Sequence, residues 1–200
     1  MTPSFKLALV AALSFIVALA LANAGLPEYS HRVHPVALRG SAGLPWAFAF
    51  NAMAFLLPGG LLLWAGQRLR DALGDAGWMA RIGIVLVQLS ALAFAAQGGF
   101  ALDPGDADST ASRLHALAWM LWWIAFVPGA LLLALGARRG FGFALACLAG
   151  ALLVPLLAVF APIGLWVGVA QRLAFALWFG CWLAICASAS GPGSSTTAGR

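Results

Sequence analysis

The side chains able to do chemistry in this sequence are few, and most stand near the ends of apolar runs. His34, Asp103 and His115 are of the types that hold zinc when three converge about an open position, or that exchange protons as general acid and base. Gln171 and Arg172 form an adjacent amide and guanidinium pair, and a planar guanidinium fork suits a carboxylate or phosphate. Asn51 and Gln97 add two carboxamides within otherwise apolar stretches. One chemistry open to these seven is binding or passing a small molecule or lipid headgroup, with Arg172 and Gln171 on an anion and Asp103 and His115 orienting it. A second is hydrolysis or group transfer on a lipid, with His34, Asp103 and His115 as metal ligands or as acid and base. A third is none at all, the chain serving as an accessory subunit of a membrane complex.

Spacing favours the first. No HxxxH or HExxH pair places two imidazoles on one helix face, although Arg32-Val33-His34 and Arg113-Leu114-His115 share an Arg-apolar-His pattern. No metal and no cofactor are therefore expected. Haem would need histidines on facing helices, and His34 precedes its helix by many residues. Cys147, Cys181 and Cys186 lie in apolar runs without CxxC spacing or a neighbouring histidine, as small core residues do. Ser14, Ser90 and Ser188 have no base beside them in sequence, so no serine nucleophile is indicated. The glycines at 59, 60, 66, 98 and 99 sit in or beside apolar runs, where small residues let helices approach, and form no nucleotide-binding loop.

The elements that must position these residues are transmembrane. The chain is 8% charged and 63% hydrophobic over 200 residues, where a soluble domain has about a quarter charged residues. A run of about 20 apolar residues crosses about 30 Å of hydrocarbon. Six such runs predict an all-α bundle of six spans, at about 7–24, 46–66, 82–101, 114–137, 141–161 and 165–187, followed by a polar tail at 190–200 that is expected to be disordered in the cytoplasm. The first run also ends in Ala22-Asn23-Ala24, which has the small-x-small look of a signal-peptidase site. Cleavage there would leave five spans with the mature amino end outside; retention leaves six.

Charge supplies an orientation. Lys6, Arg68, Arg70, Arg81, Arg138, Arg139 and Arg200 fall on one side of the predicted bundle with only Asp71 and Asp75. Arg32, Arg39, Arg113 and Arg172 fall on the other with Glu28, Asp103, Asp106 and Asp108. The positive-inside bias then puts both termini in the cytoplasm and all three histidines on the outer side. The net charge of +5 is thus assigned to topology rather than to nucleic acid, and the bilayer is the expected partner; oligomeric state is left open. Ten arginines against one lysine, with abundant Ala, Gly and Leu, suit a GC-rich bacterial genome and hence a bacterial inner membrane.

At 1.5 Å per residue, Asn51 and Gln97 lie about 6–8 Å below their helix mouths and Arg172 about 10 Å below. A buried arginine there costs a few kcal/mol unless it snorkels, faces water or finds an anion. Two arrangements answer that need. One is an outward-facing pocket; the other is a latch in which Asp103 folds in to pair with Arg172. Trp46, Trp119, Trp122, Trp123 and Trp166 towards one interface, and Trp64 and Trp78 towards the other, read as an aromatic belt. A Pro-Gly pair recurs in similar apolar words at Pro58 and Pro128, marking two kinked helices or a duplicated two-helix unit of the kind that can mark transporter sites.

Three segments resemble the bacterial six-span membrane family catalogued as domain of unknown function 998: Tyr29-Ser-His-Arg-Val-His-Pro-Val-Ala-Leu-Arg-Gly leading to Phe50-Asn51, Gly99-Phe-Ala-Leu-Asp103 running on to His115-Ala116, and Gly168-Val-Ala-Gln171-Arg172 followed by Trp178. The likeness spans nearly the whole chain. Ala101-Leu102 stands where a phenylalanine-proline pair is expected before the aspartate, so Asp103 and Asp106 compete for that position. The resemblance implies an uncleaved first helix. It implies no reaction, substrate or cofactor.

Overall fold

The computed structural model describes residues 1–24, 26–74, 76–136, 139–161 and 164–188; the expected tail, with Asp75 and Arg138, lies outside them. Every regular element among these residues is helical. Six helices are long and apolar enough to cross a membrane: α1 (Pro3–Ala20), α3 (Ala47–Asp71), α4 (Trp78–Gly99), α5 (Thr110–Gly136), α6 (Phe141–Phe160) and α7 (Gly164–Ser188). A seventh, α2 (Val36–Arg39), is a single turn in the first loop. The protein is a multi-pass membrane protein. The end bearing the loops after α1, α4 and α6 is called the upper end below.

Several helices run past their apolar cores because local signals extend them. Thr2 caps α1, its Oγ1 accepting from Phe5 N, and Pro3 takes the first turn, where no N–H is needed. Inside α3, Pro58 has no N–H to donate, and the helix relaxes into a wide π-type segment at Ala52–Leu56. The Leu57 N–H reaches Ala52 O, five residues back, which leaves Met53 O facing a proline. Ser14 on α1 supplies the missing donor through its hydroxyl at 2.7 Å, as backbone in hydrocarbon requires. Pro155 is likewise followed by a π-type segment, Leu156–Phe160.

Both Pro-Gly pairs bring a glycine onto α4. A Cβ on Gly59 would stand 2.6 Å from Ala95 Cβ, and one on Gly129 would stand 2.9 Å from Val87 Cγ2. Helix α4 is thus gripped at two levels by close backbone approach.

The core is aromatic. Phe94 stacks on Trp178 with ring centroids 4.7 Å apart and meets Phe15, Phe55 and Phe175, while Trp122 packs on Phe175 at 4.9 Å. Trp178 Nε1 donates to Ser90 Oγ at 3.0 Å. Trp122 therefore belongs to the core and not to the interfacial belt, whereas Trp46, Trp64, Trp78 and Trp166 are exposed near helix ends. Aliphatic residues such as Val10, Leu13 and Ile16 face outward, since lipid is as apolar as they are.

Candidate functional site

The chain from Leu26 to Pro45 folds back over the upper end, and polar side chains from four places hold it there. Arg39 is the first. It is only 3% exposed, and its fork donates to Ala22 O (2.7 Å), Pro45 O (2.7 Å) and Ala24 O (3.3 Å). These carbonyls lie just past the end of α1 and just before α3, so one guanidinium joins the two helix mouths and supplies donors to a helix C-terminus that lacks them. Asn51 is the second, donating from Nδ2 to Gly40 O at 2.8 Å. Only glycine fits there, because a Cβ on residue 40 would fall 1.8 Å from Asn51 Oδ1.

Gln171 and Arg172 on α7 grip the loop from the other side. Gln171 Oε1 accepts from Val36 N at 2.6 Å, satisfying the first turn of α2. Arg172 donates through one terminal nitrogen to His34 O (3.0 Å) and Gly168 O (2.8 Å), and through the other to the Tyr29 hydroxyl (2.6 Å). The expected latch to Asp103 is not what forms. Asp103 Oδ1 instead accepts from Gly105 N at 2.9 Å, closing a turn of its own loop, and a carboxylate so used has no reason to reach inward. The partners of Arg172 are neutral, with the Tyr29 ring 5.7 Å from its guanidinium carbon. Gly168 has the loop backbone directly against it, His31 O falling 2.4 Å from where its Cβ would be.

His34 stands under this clasp with its Nδ1 accepting from Ser30 N at 3.0 Å, so the ring proton sits on Nε2. His115 and Gln97 form a separate pair on α5 and α4. His115 Nδ1 donates to Gln97 O (3.0 Å) and Phe100 O (2.9 Å), closing the carbonyl end of α4, while Gln97 Nε2 is buried without a partner. The seven residues singled out by sequence thus divide: His34, Gln171 and Arg172 come together, Gln97 and His115 come together, and Asn51 and Asp103 stand on loop backbone. His34, Asp103 and His115 do not form a ligand set, and no cluster of three metal-ligating side chains occurs among the described residues.

Between the folds of this loop and Pro104 of the loop after α4 opens a pocket of about 220 Å³, lined by Leu26, Glu28, Tyr29, His34, Leu38 and Ser41, with Ala42 and Leu44 completing it. Ser41 is 0% exposed and its hydroxyl has no partner. Burial raises the Tyr29 hydroxyl above its ordinary range, and Arg172 opposes the rise. Burial lowers His31, with Arg172 adding to the effect. Tyr29, Arg39, Gly40 and Ser41 are the residues that sequence reasoning did not place in the site. The usable signal was that Tyr29 is the only tyrosine of the chain and that Arg39-Gly40 combines a cation with backbone freedom before an apolar run. Comparison with known protein families, with curated proteins and with solved structures finds no match to this chain.

Proposed function

We propose that this multi-pass protein resides in a bacterial inner membrane with both termini in the cytoplasm, as the bias of its basic residues suggests, and that its periplasmic end binds a small polar molecule or lipid headgroup in the pocket beside Tyr29. The observation that carries this reading is the Ser41 hydroxyl. A buried hydroxyl without a partner costs about 1–3 kcal/mol; this one belongs to a residue of the pocket wall but is itself wholly enclosed, so a ligand satisfies it by displacing the wall over it. His34, through its ring, and Glu28 offer further polar contacts, so the fitting ligand is neutral or carries a positive group rather than an anion. Arg172 acts through Tyr29 and the His34 carbonyl; it is a positioning residue and does not touch the ligand.

The test is a panel of headgroup fragments, ethanolamine and choline phosphates and glycerol among them, screened by thermal shift on the purified protein. A compound that stabilises the wild type and fails to stabilise Ser41→Val supports the reading. Stabilisation of equal size in both proteins, or none by any fragment, defeats it.

A further inference from the structure

On the membrane-facing side of the same end, a groove of about 320 Å³ opens between the end of α1 and the start of α3, lined by Ala18, Leu21, Arg39, Trp46, Ala49 and Met53. It is distinct from the pocket beside Tyr29. From Ala49 to Met53 it descends about 6 Å along α3, and apart from Arg39 these six lining side chains are apolar.

Arg39 stands at its head as a cation without a counter-charge. The one ion pair among the described residues joins Arg113 to Asp108. The three carbonyls that Arg39 bridges are neutral, and they use three of the five N–H groups of a guanidinium. Two N–H groups and the full charge are left, on a residue that is 3% exposed and has the Phe50 ring centroid 5.8 Å from its guanidinium carbon. An arginine near hydrocarbon ordinarily finds an anion or water, and at the level of two helix mouths the anion on offer in a membrane is a lipid phosphate. The rim carries a second sign. Trp46 holds a left-handed backbone, φ 61°, the only positive φ of any non-glycine among the described residues, and the residue is 76% exposed. A bulky residue so placed costs about 1–3 kcal/mol, a strain that clusters at ligand clamps, and tryptophan favours the headgroup level.

We propose that this groove holds one anionic phospholipid, its phosphate accepting from the two free N–H groups of Arg39, its glycerol beside Trp46 and the start of one acyl chain between Leu21 and Met53. Charge at the top and hydrocarbon below match the order of groups in such a lipid.

The test is native mass spectrometry of the full-length protein, delipidated in mild detergent and then offered dioleoyl phosphatidylglycerol or dioleoylglycerol, which lacks the phosphate. Wild type is expected to retain one phosphatidylglycerol about ten- to a hundredfold more strongly than dioleoylglycerol, the range spanned by one hydrogen bond to a charged group. Arg39→Gln should abolish that preference. Because Arg39 also staples two helices, Ala49→Trp supplies an independent variant. Ala49 is exposed and bonds to nothing through its side chain, so the indole fills the groove without disturbing the staple, and retention should fall about tenfold with the melting temperature unchanged. Equal retention of the two lipids by wild type overturns the proposal, as does phosphatidylglycerol retention that survives Ala49→Trp. A wild-type dimer that Ala49→Trp dissociates, with no lipid bound to either, assigns the groove to a second copy and overturns it equally.

Discussion

Replacing Arg172 by methionine removes the fork while nearly preserving volume, and its cost follows from the contacts. Two tertiary bonds disappear, to His34 O and to the Tyr29 hydroxyl, each worth about 1.5–3 kcal/mol for a charged donor. The third, to Gly168 O, lies within α7 and does not hold the loop. Against that loss stands the relief of Arg172 Nε, which is buried with no partner and costs about 1–3 kcal/mol. The net is a loss of about 2 kcal/mol, concentrated on the Leu26–Pro45 loop, and 1.4 kcal/mol is a factor of ten. The open population of the loop should therefore rise about thirtyfold. Val36, within this loop, is fully buried, so a Val36→Cys thiol reports opening when labelling is slow relative to reclosing. The expected result is a labelling rate about thirtyfold faster in Arg172→Met than in the wild-type background. Asp103→Asn is the control: its amide oxygen can still accept from Gly105 N, and labelling should change less than about twofold. A rate unmoved by Arg172→Met, or raised as much by Asp103→Asn, would refute the clasp. The same thiol, labelled in intact spheroplasts by an impermeant reagent, reports the side on which the loop lies.

Two other outcomes follow from the same geometry. The folded loop depresses His31, whose ordinary value is 6.5, so the open state binds the proton more readily and the closed loop should weaken as pH falls below about 6.5. Tyr29 is raised from 10.0, so the closed state keeps its proton longer and loses stability as pH climbs above that value. Val36→Cys labelling should accordingly be slowest between these limits, and His31→Gln should flatten the acid limb alone. Gly40→Ala should lower the melting temperature by the equivalent of about 1–3 kcal/mol, the usual range for overpacking. Gly60→Ala, where a Cβ meets nothing within 4 Å, should cost none of this in a thermal melt.

The spans were legible because hydrocarbon thickness sets a length and the apolar runs meet it. Which side of each helix faces inward was not. Val10, Leu13 and Ile16 face outward while Ala8, Ala11 and Phe15 are buried, and polarity does not separate the two faces, because inside and outside are equally apolar. The polar residues were found at the right depth for a physical reason: a carboxamide or guanidinium in a span must be bonded, so its presence announces an interaction. Its partner could not be named. Asp103 was the obvious anion for Arg172, yet Arg172, Arg39 and Asn51 grip main-chain carbonyls, which every residue carries and no sequence distinguishes. Ser41 was missed because a lone serine in a loop is ordinary until the backbone encloses it.

Arg39 binds the ends of α1 and α3, Asn51 binds Gly40, Gln171 and Arg172 bind the loop to α7, and Ala42 N donates to Leu102 O between α4 and α5 at 2.9 Å. A single strap thus ties together five of the six spans at one end. Towards the other, among the described residues, the side-chain bonds between spans join neighbours only in pairs, Arg139 to the Ser188 carbonyl, Cys181 to Ala146 O and Gln88 to Leu63 O, beside a small void of about 60 Å³. Mechanically this is a fan riveted at its handle: the rods can spread only at the far rim, so any change of shape in the bundle must be largest at the lower end, and a ligand that tightens or loosens the strap would be felt there as a change in splay.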